Sequence, residues 1–514
     1  MKKKYYFKTI QTHYKTTSIL AMVLSLLVGV LPGCKKFLEI EAPKTSINQA
    51  NVFSSNATSI QVITAIYGNL SKSNNANSVD NSLGSLFYFA GLSSDEYSLF
   101  NQSNDQIKRF YTNSLTNTDG TCWGTLYSYI FSANAAIEGL TASSSLTPSV
   151  KNQLIGEAKF IRAFCNFYLV NLYGDVPLAV STDPNINRLL PRAAKADVYS
   201  LIEKDLVECK NLMSTNFLDA TLLNVTTERI RPTKWSASAL LARTYLYERK
   251  YSAAEKEADT IINSGKFSLI DDLSKVFLMN SRETIWALQP VYNNSTSGYN
   301  TGEGKLFILP ATGPNTSDNP AYPIFLSSHT LNNFEAGDLR RYKWVDSVIV
   351  GSLNYRYPAK YKAGLKQTFV SEYSIVFRLA EQYLIRAEAR ARQGNIAGAV
   401  SDLNLIRNRA RATITSAVPN PLPALQADMT QSNLYAVIEH ERQSEFFAEW
   451  GHRWFDLNRT PGFTNISLTR ADELMPFITT TKGGNWKPEW KLYPIPLVEL
   501  QKNPNLTNAQ NLGY

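Results

Sequence analysis

The chain has 514 residues, 44% of them hydrophobic, which is ample for a large core and long enough for more than one domain. Its formal charge of +9 is concentrated in a leader: Lys2, Lys3, Lys4, Lys8 and Lys15 precede residue 34 with no acid among them, and the mild remainder excludes an electrostatic footprint for nucleic acid. The cysteines are widely spaced and lack a C-x-x-C, which excludes a disulfide framework and a zinc site, and the 11% aromatic content supplies rings for a core or for platforms under a planar or sugar-like ligand.

Residues 1–33 read as an export signal. A basic start precedes the apolar stretch 19–31, which suits a signal peptide and is too short to span a bilayer. Leu31-Pro32-Gly33-Cys34 follows and resembles a bacterial lipobox; cleavage before Cys34 leaves a thiol to carry lipid. No later segment has an apolar run of membrane length, so the mature protein is predicted to be anchored, not spanning. Residues 35–49 form a polar tether. Asn56 or Thr58 is placed to cap a helix through Ile60, Ile63, Tyr67 and Leu70. Residues 71–106 read as a loop rich in Ser, Asn and Asp around an apolar patch at 83–92. Helical periodicity returns over 123–140 and 154–173, where Cys165 reads as a small buried residue, and Gly174-Asp175-Val176-Pro177 breaks it. Another helix covers 197–212.

Residues 234–262 and 376–410 have the pattern of tetratricopeptide units. In the second, Val376, Leu379, Ala380, Tyr383, Leu384, Ala387 and Ala391 share one helix face, Gly394-Asn395 stops the helix, and Ile396, Ala399, Val400, Leu403 and Ile406 begin another. Ala387 and Ala399 are small enough for close approach. Ala242, Ala254 and Ala258 occupy the matching positions upstream. The two units are too far apart for a tandem solenoid, so the chain reads as a helical core with long insertions. One such insertion is the loop 292–319, rich in Asn, Ser and Gly, and 345–371 carries short strands around 355–362. The stretch 434–457 reads as the last strong helix.

That last helix carries Glu439-His440-Glu441-Arg442, then Glu445, Glu449, His452 and Asp456. A zinc-protease motif needs His at 444, where Ser444 stands. Two acids flanking a sugar bond are the core of glycoside hydrolysis, yet Glu441, Glu445 and Glu449 share one helix face among arginines, which suits a charged face paired to its neighbours. No nucleophile elbow, phosphate loop or dinucleotide fingerprint is present.

The motifs together resemble the SusD/RagB family of outer-membrane lipoproteins, from Cys34 to the end. Phe37-Leu38-Glu39 resembles its mature start, and Trp123, Tyr127 and Asn134 its W-x3-Y-x6-N helix. Tyr173-Gly174-Asp175-Val176-Pro177, Arg231-Pro232-Thr233-Lys234-Trp235, Arg378-Leu379-Ala380-Glu381, Arg453-Trp454-Phe455-Asp456-Leu457 and Tyr493-Pro494-Ile495-Pro496 continue the pattern. Lys35-Lys36 departs from it, because acids often follow the lipid-bearing Cys in surface-displayed members.

The resemblance implies a mostly α, SusD-like fold: four tetratricopeptide-like helix pairs as scaffold, with long loop insertions. It implies a signal peptide (1–33) and one SusD-like domain (34–514), made of an N-terminal part (34–230) and a C-terminal part (231–514). The implied role is cell-surface binding of glycans, without catalysis or cofactor, and delivery to a SusC-like TonB-dependent transporter, with a lipid anchor at Cys34 in the outer membrane. A peptide-binding lid of a similar transporter and a lipid-anchored glycosidase are the alternatives. The resemblance places ligand contacts on loops inserted into the scaffold. The matching loops here offer Tyr97, Phe100, Tyr292, Tyr299 and Tyr322 as ring platforms and Asn101 and Gln102 as hydroxyl partners. No metal ligand set is expected.

Overall fold

A computed structural model of the chain describes residues 52–71, 86–102, 104–119, 122–291, 301–315, 322–364 and 369–514. Cys34 and its leader, Tyr292 and Tyr299 lie outside these residues. In chain order the helices are α1 (Asn56–Leu70), α2 (Leu86–Ser93), α3 (Asp105–Tyr111), α4 (Trp123–Ala142), α5 (Pro148–Tyr173), α6 (Pro184–Asn187), α7 (Lys195–Leu212), α8 (Lys234–Tyr247), α9 (Tyr251–Ile262), α10 (Gly302–Phe307), α11 (Ser328–Asn332), α12 (Arg340–Lys343), α13 (Leu379–Arg392), α14 (Ile396–Ala410), α15 (Gln431–Phe446), α16 (His452–Arg459), α17 (Arg470–Thr481) and α18 (Leu497–Lys502). The strands are β1 (Tyr97–Leu99), β2 (Val176–Pro177), β3 (Arg192–Ala193), β4 (Thr284–Leu288), β5 (Ile324–Leu326), β6 (Val345–Val350), β7 (Leu353–Pro358) and β8 (Ser374–Arg378). Among the described residues the strands pair only two by two, all antiparallel. The fold is mostly α, as the periodicity predicts.

The scaffold is a row of neighbouring helices: α4 packs on α5, α5 on α7, α7 on α8, α8 on α9, α9 on α13, and α13 on α14 and α15. The two predicted repeat units, α8–α9 and α13–α14, are therefore stacked against each other although a long insertion separates them in sequence. Ala242, Ala387 and Ala399 are fully buried, which is what close helix approach requires. Gly394 turns the chain between α13 and α14 at φ +82°, where a side chain would be strained. Charged pairs tie the helices together: Arg162 to Asp205 across α5 and α7 at 2.8 Å, Arg243 to Glu381 across α8 and α13 at 2.6 Å, and Arg386 to Asp259 and Asp402 at 2.6 Å each. Between the helices lies an aromatic core in which Trp286 meets Phe164 at 5.4 Å and Phe377 at 6.0 Å.

Five local readings are corrected. The cap of α1 is Ser55, whose Oγ accepts the Thr58 N–H. Val376 belongs to β8, so the helix starts at Leu379. The apolar patch inside the supposed loop 71–106 is the buried helix α2. The predicted helix 434–457 is two helices, α15 and α16, because Ala448, Trp450 and Gly451 take positive φ between them. That break turns Trp450 inward, where Nε1–H donates to the Ile375 carbonyl at 2.8 Å. A further strong helix, α17, follows.

Candidate ligand-binding face

The loop after α2 becomes β1, which pairs with β5 in the register Tyr97 with Leu326, Ser98 with Phe325 and Leu99 with Ile324; the Phe100 N–H continues the ladder to the Pro323 carbonyl at 2.7 Å. Strand alternation sends Tyr97 and Phe100 to opposite sides. Tyr97 goes inward: it is 1% exposed, its ring lies 5.5 Å from that of Phe307, and its hydroxyl donates to the Phe87 carbonyl at 3.3 Å. A Cβ on Gly91 would lie 2.2 Å from the ring, so glycine is what admits it. The expectation of an open platform at Tyr97 is thus corrected; the hydrophobic face of a short strand prevails over the polarity of its flanks.

Phe100 goes outward. Its ring is 44% exposed and meets Tyr355 of β7 edge-on at 5.9 Å, and Tyr355 meets Phe325 of β5 at 5.2 Å. Asn101 and Gln102, both exposed, follow Phe100 directly. Tyr322 does not stand open beside them, as expected from its loop: it is 7% exposed in a small cluster with Leu309, Tyr357 and Ala359, against which Phe325 and Tyr355 pack. A bridge to Asn315 fixes its backbone, with N–H to O distances of 2.9 and 3.0 Å. Tyr322 therefore belongs to the base of the aromatic corner. Tyr355 and Phe325 were not among the sequence candidates. The sequence signals Tyr355 through the Tyr355-x-Tyr357 alternation of a short strand, whereas nothing local signals Phe325.

The corner is held from behind. Asp95 pairs with Arg453 through both carboxylate oxygens, at 2.8 and 2.6 Å. Burial alone raises the Asp95 carboxyl, but Arg453 outweighs it and holds the group below its ordinary value. Burial pushes Glu96 up to about 8, against the opposing effect of the Ala448 N–H at 3.0 Å. Lys482, pulled down to about 7 by burial, donates to the carbonyls of Leu92 and Ser94. The Glu96 carbonyl accepts from the Ser327 N–H at 2.9 Å and the Thr330 hydroxyl at 3.0 Å. Phe100 and its amides thus project from backbone that is fixed before any ligand arrives, which lowers the entropy cost of binding.

The acids that invited a catalytic reading sit elsewhere and are occupied. Glu445 accepts from Arg340, Arg378 and Arg409, Glu441 from Arg340 and Arg407, and Glu449 from Arg378 and Lys360. Burial raises Glu445 and Glu449, but the surrounding cations win and keep both below the usual carboxylate range. A carboxylate so held does not supply a proton near neutrality. Among the described residues no cluster of three metal-binding side chains forms, and no helix is long and apolar enough to cross a membrane.

The architecture is a row of stacked helix pairs that carries an aromatic corner on its insertions. Residues 342–514 match the family model described as "SusD family", and residues 36–246 match one described as "Starch-binding associating with outer membrane"; the chain belongs to the SusD family. A relative called SusD-like protein P25 from Formosa agariphila is 27% identical, over 94% of this chain and 97% of its own length. SusD-like protein P2 of the same organism is 28% identical, over 76% and 80%. Among solved structures, a SusD homologue from Bacteroides thetaiotaomicron has a TM-score of 0.72 at 21% identity, covering 92% of this chain and 99% of its own. A laminarin-binding SusD-like protein has a TM-score of 0.68 at 23% identity, covering 89% and 99%. These structures share the fold.

Proposed function

We propose that this protein binds glycan chains at the outer surface of an outer membrane and passes them to a SusC-like TonB-dependent transporter, without cleaving them. The observation that carries the reading is the Phe100–Tyr355–Phe325 corner with Asn101 and Gln102 beside it. A sugar ring offers an apolar C–H face and a rim of hydroxyls; the first suits an exposed phenyl edge or face and the second suits side-chain amides. The laminarin-binding protein of the same fold and the starch-binding description of the N-terminal family model support the ligand class. Tyr292 and Tyr299 are proposed as further contacts. Cys34 is the proposed lipid site, which puts the tether 35–49 between membrane and scaffold. The arginine-locked state of Glu441, Glu445 and Glu449 supports a role without hydrolysis.

The test is a screen of the purified protein against laminarin, starch, xylan, mannan and a set of short peptides, with product analysis after long incubation. Retention on one glycan with no sugar released is the expected result. Binding to peptides alone, or release of sugar, overturns it.

A further inference from the structure

A second concavity lies away from the aromatic corner, between α4, the loop 177–190 and the C-terminal segment 497–506. Its volume is about 360 Å³, in the range of small-ligand sites. Trp123, Tyr127 and Phe131 of α4 form its aromatic wall, and the Phe131 ring is 53% exposed at the rim. The opposite rim carries Arg188, Glu499 and Lys502, none of which enters an ion pair among the described residues.

The walls are fixed. The Tyr127 hydroxyl donates to the Pro177 carbonyl at 2.7 Å, and Asn134 Nδ2 donates to the carbonyls of Ala179 and Ser181 at 3.1 and 3.4 Å. Glu138 accepts from the Thr182 N–H and hydroxyl, and Asn503 Nδ2 donates to the Leu190 carbonyl at 2.8 Å. The loop is thereby strapped to α4 on one side and to the C-terminal segment on the other, and does not collapse into the space between. Asn187, in the cavity wall, spends Nδ2 on the Ser181 carbonyl at 2.8 Å, while its Oδ1 is buried with no hydrogen-bond partner.

We infer that this cavity is a second saccharide site, independent of the aromatic corner and sized for one or two pyranose rings. The exposed Phe131 ring covers a C–H face. Arg188 and Lys502 donate to ring hydroxyls, and Glu499 accepts from a hydroxyl pair. A site with aromatic rings on one side and unspent donors and acceptors of both charges on the other fits an amphipathic polyol better than a purely apolar ligand.

Saturation-transfer NMR on the purified full-length protein tests this with laminaritriose, maltotriose, cellotriose, xylotriose and mannotriose as probes. Four forms are compared: wild type, Phe100→Ala/Tyr355→Ala, Phe131→Ala/Arg188→Ala, and all four changes together. All four altered side chains lie at least partly at the surface, and melting curves confirm that each form is folded. At least one trisaccharide should keep its signal in the corner variant and lose it at least fivefold when the cavity changes are added. A corner variant that binds no trisaccharide, or added cavity changes that leave its signal intact, overturns the second site. A corner variant with undiminished binding that the cavity changes abolish supports the second site and removes the first.

Discussion

Two regions of this molecule concentrate the side chains that sequence inspection picks out as chemistry, and they do opposite things. Beneath α13 and α15, Arg340, Arg378, Arg409, Glu283, Glu445 and Glu449 are all buried and every carboxylate is claimed by a cation. At the β1–β5–β7 corner the side chains are few and largely uncharged, and Phe100 is open. The difference teaches that charge density marks the frame here, while an open ring on a braced strand marks the proposed binding face. A buried ion network gives little net stability over an apolar core, but removing one partner strands the other. An exposed ring contributes little to folding and is free to contribute to binding.

The contrast is broken most sharply from the buried side. Arg378→Ala leaves Glu445 and Glu449 short of their cation and should cost about 3–5 kcal/mol, read by urea denaturation. An unfolding midpoint equal to wild type would remove the distinction. Tyr97→Ala should cost about 3 kcal/mol, since the ring fills a closed space; a melt unchanged from wild type would return Tyr97 to the list of open platforms. Ala387→Leu overpacks the α13–α14–α15 contact and should cost about 1–3 kcal/mol in the same measurement.

Acid sharpens the same contrast. Burial raises Glu388, but Arg459 outweighs it and holds the carboxyl at about 2, below its ordinary 4.5. A carboxylate with a depressed folded pKa contributes stability that is present above 4.5 and lost as pH falls from there toward 2. The drop in denaturation midpoint below pH 4.5 should therefore be steeper in wild type than in Arg459→Ala, which lacks this contribution. Phe100→Ala has the smallest effect on folding, within about 0.5 kcal/mol.

The helical frame was legible because its signals are local. The 3.6-residue period of 379–391 and the glycine stop at 394 are properties of the sequence that any scaffold must obey, and Ala242, Ala387 and Ala399 proved buried. The break between α15 and α16 was not legible, since Ala448 and Trp450 are ordinary helix residues locally; tertiary bonds to Glu449 and Trp450 hold them in the left-handed region. The proposed binding face was half legible. The loop after Ser93-Ser94-Asp95-Glu96 held Phe100, Asn101 and Gln102, but which way each ring points depends on the pairing of β1 with a strand more than two hundred residues away. The same long-range pairing took Tyr97 inward and turned the half-buried Phe325 toward Tyr355, which the separate β6–β7 hairpin supplies.

The most direct test of the account is isothermal titration of wild type and Phe100→Ala/Tyr355→Ala with the glycan that binds best in the screen, alongside their melting curves. Loss of about 1.4 kcal/mol or more at this site, a tenfold fall in affinity, with a nearly unchanged melt is the predicted result. Full wild-type affinity in the folded double variant would contradict it.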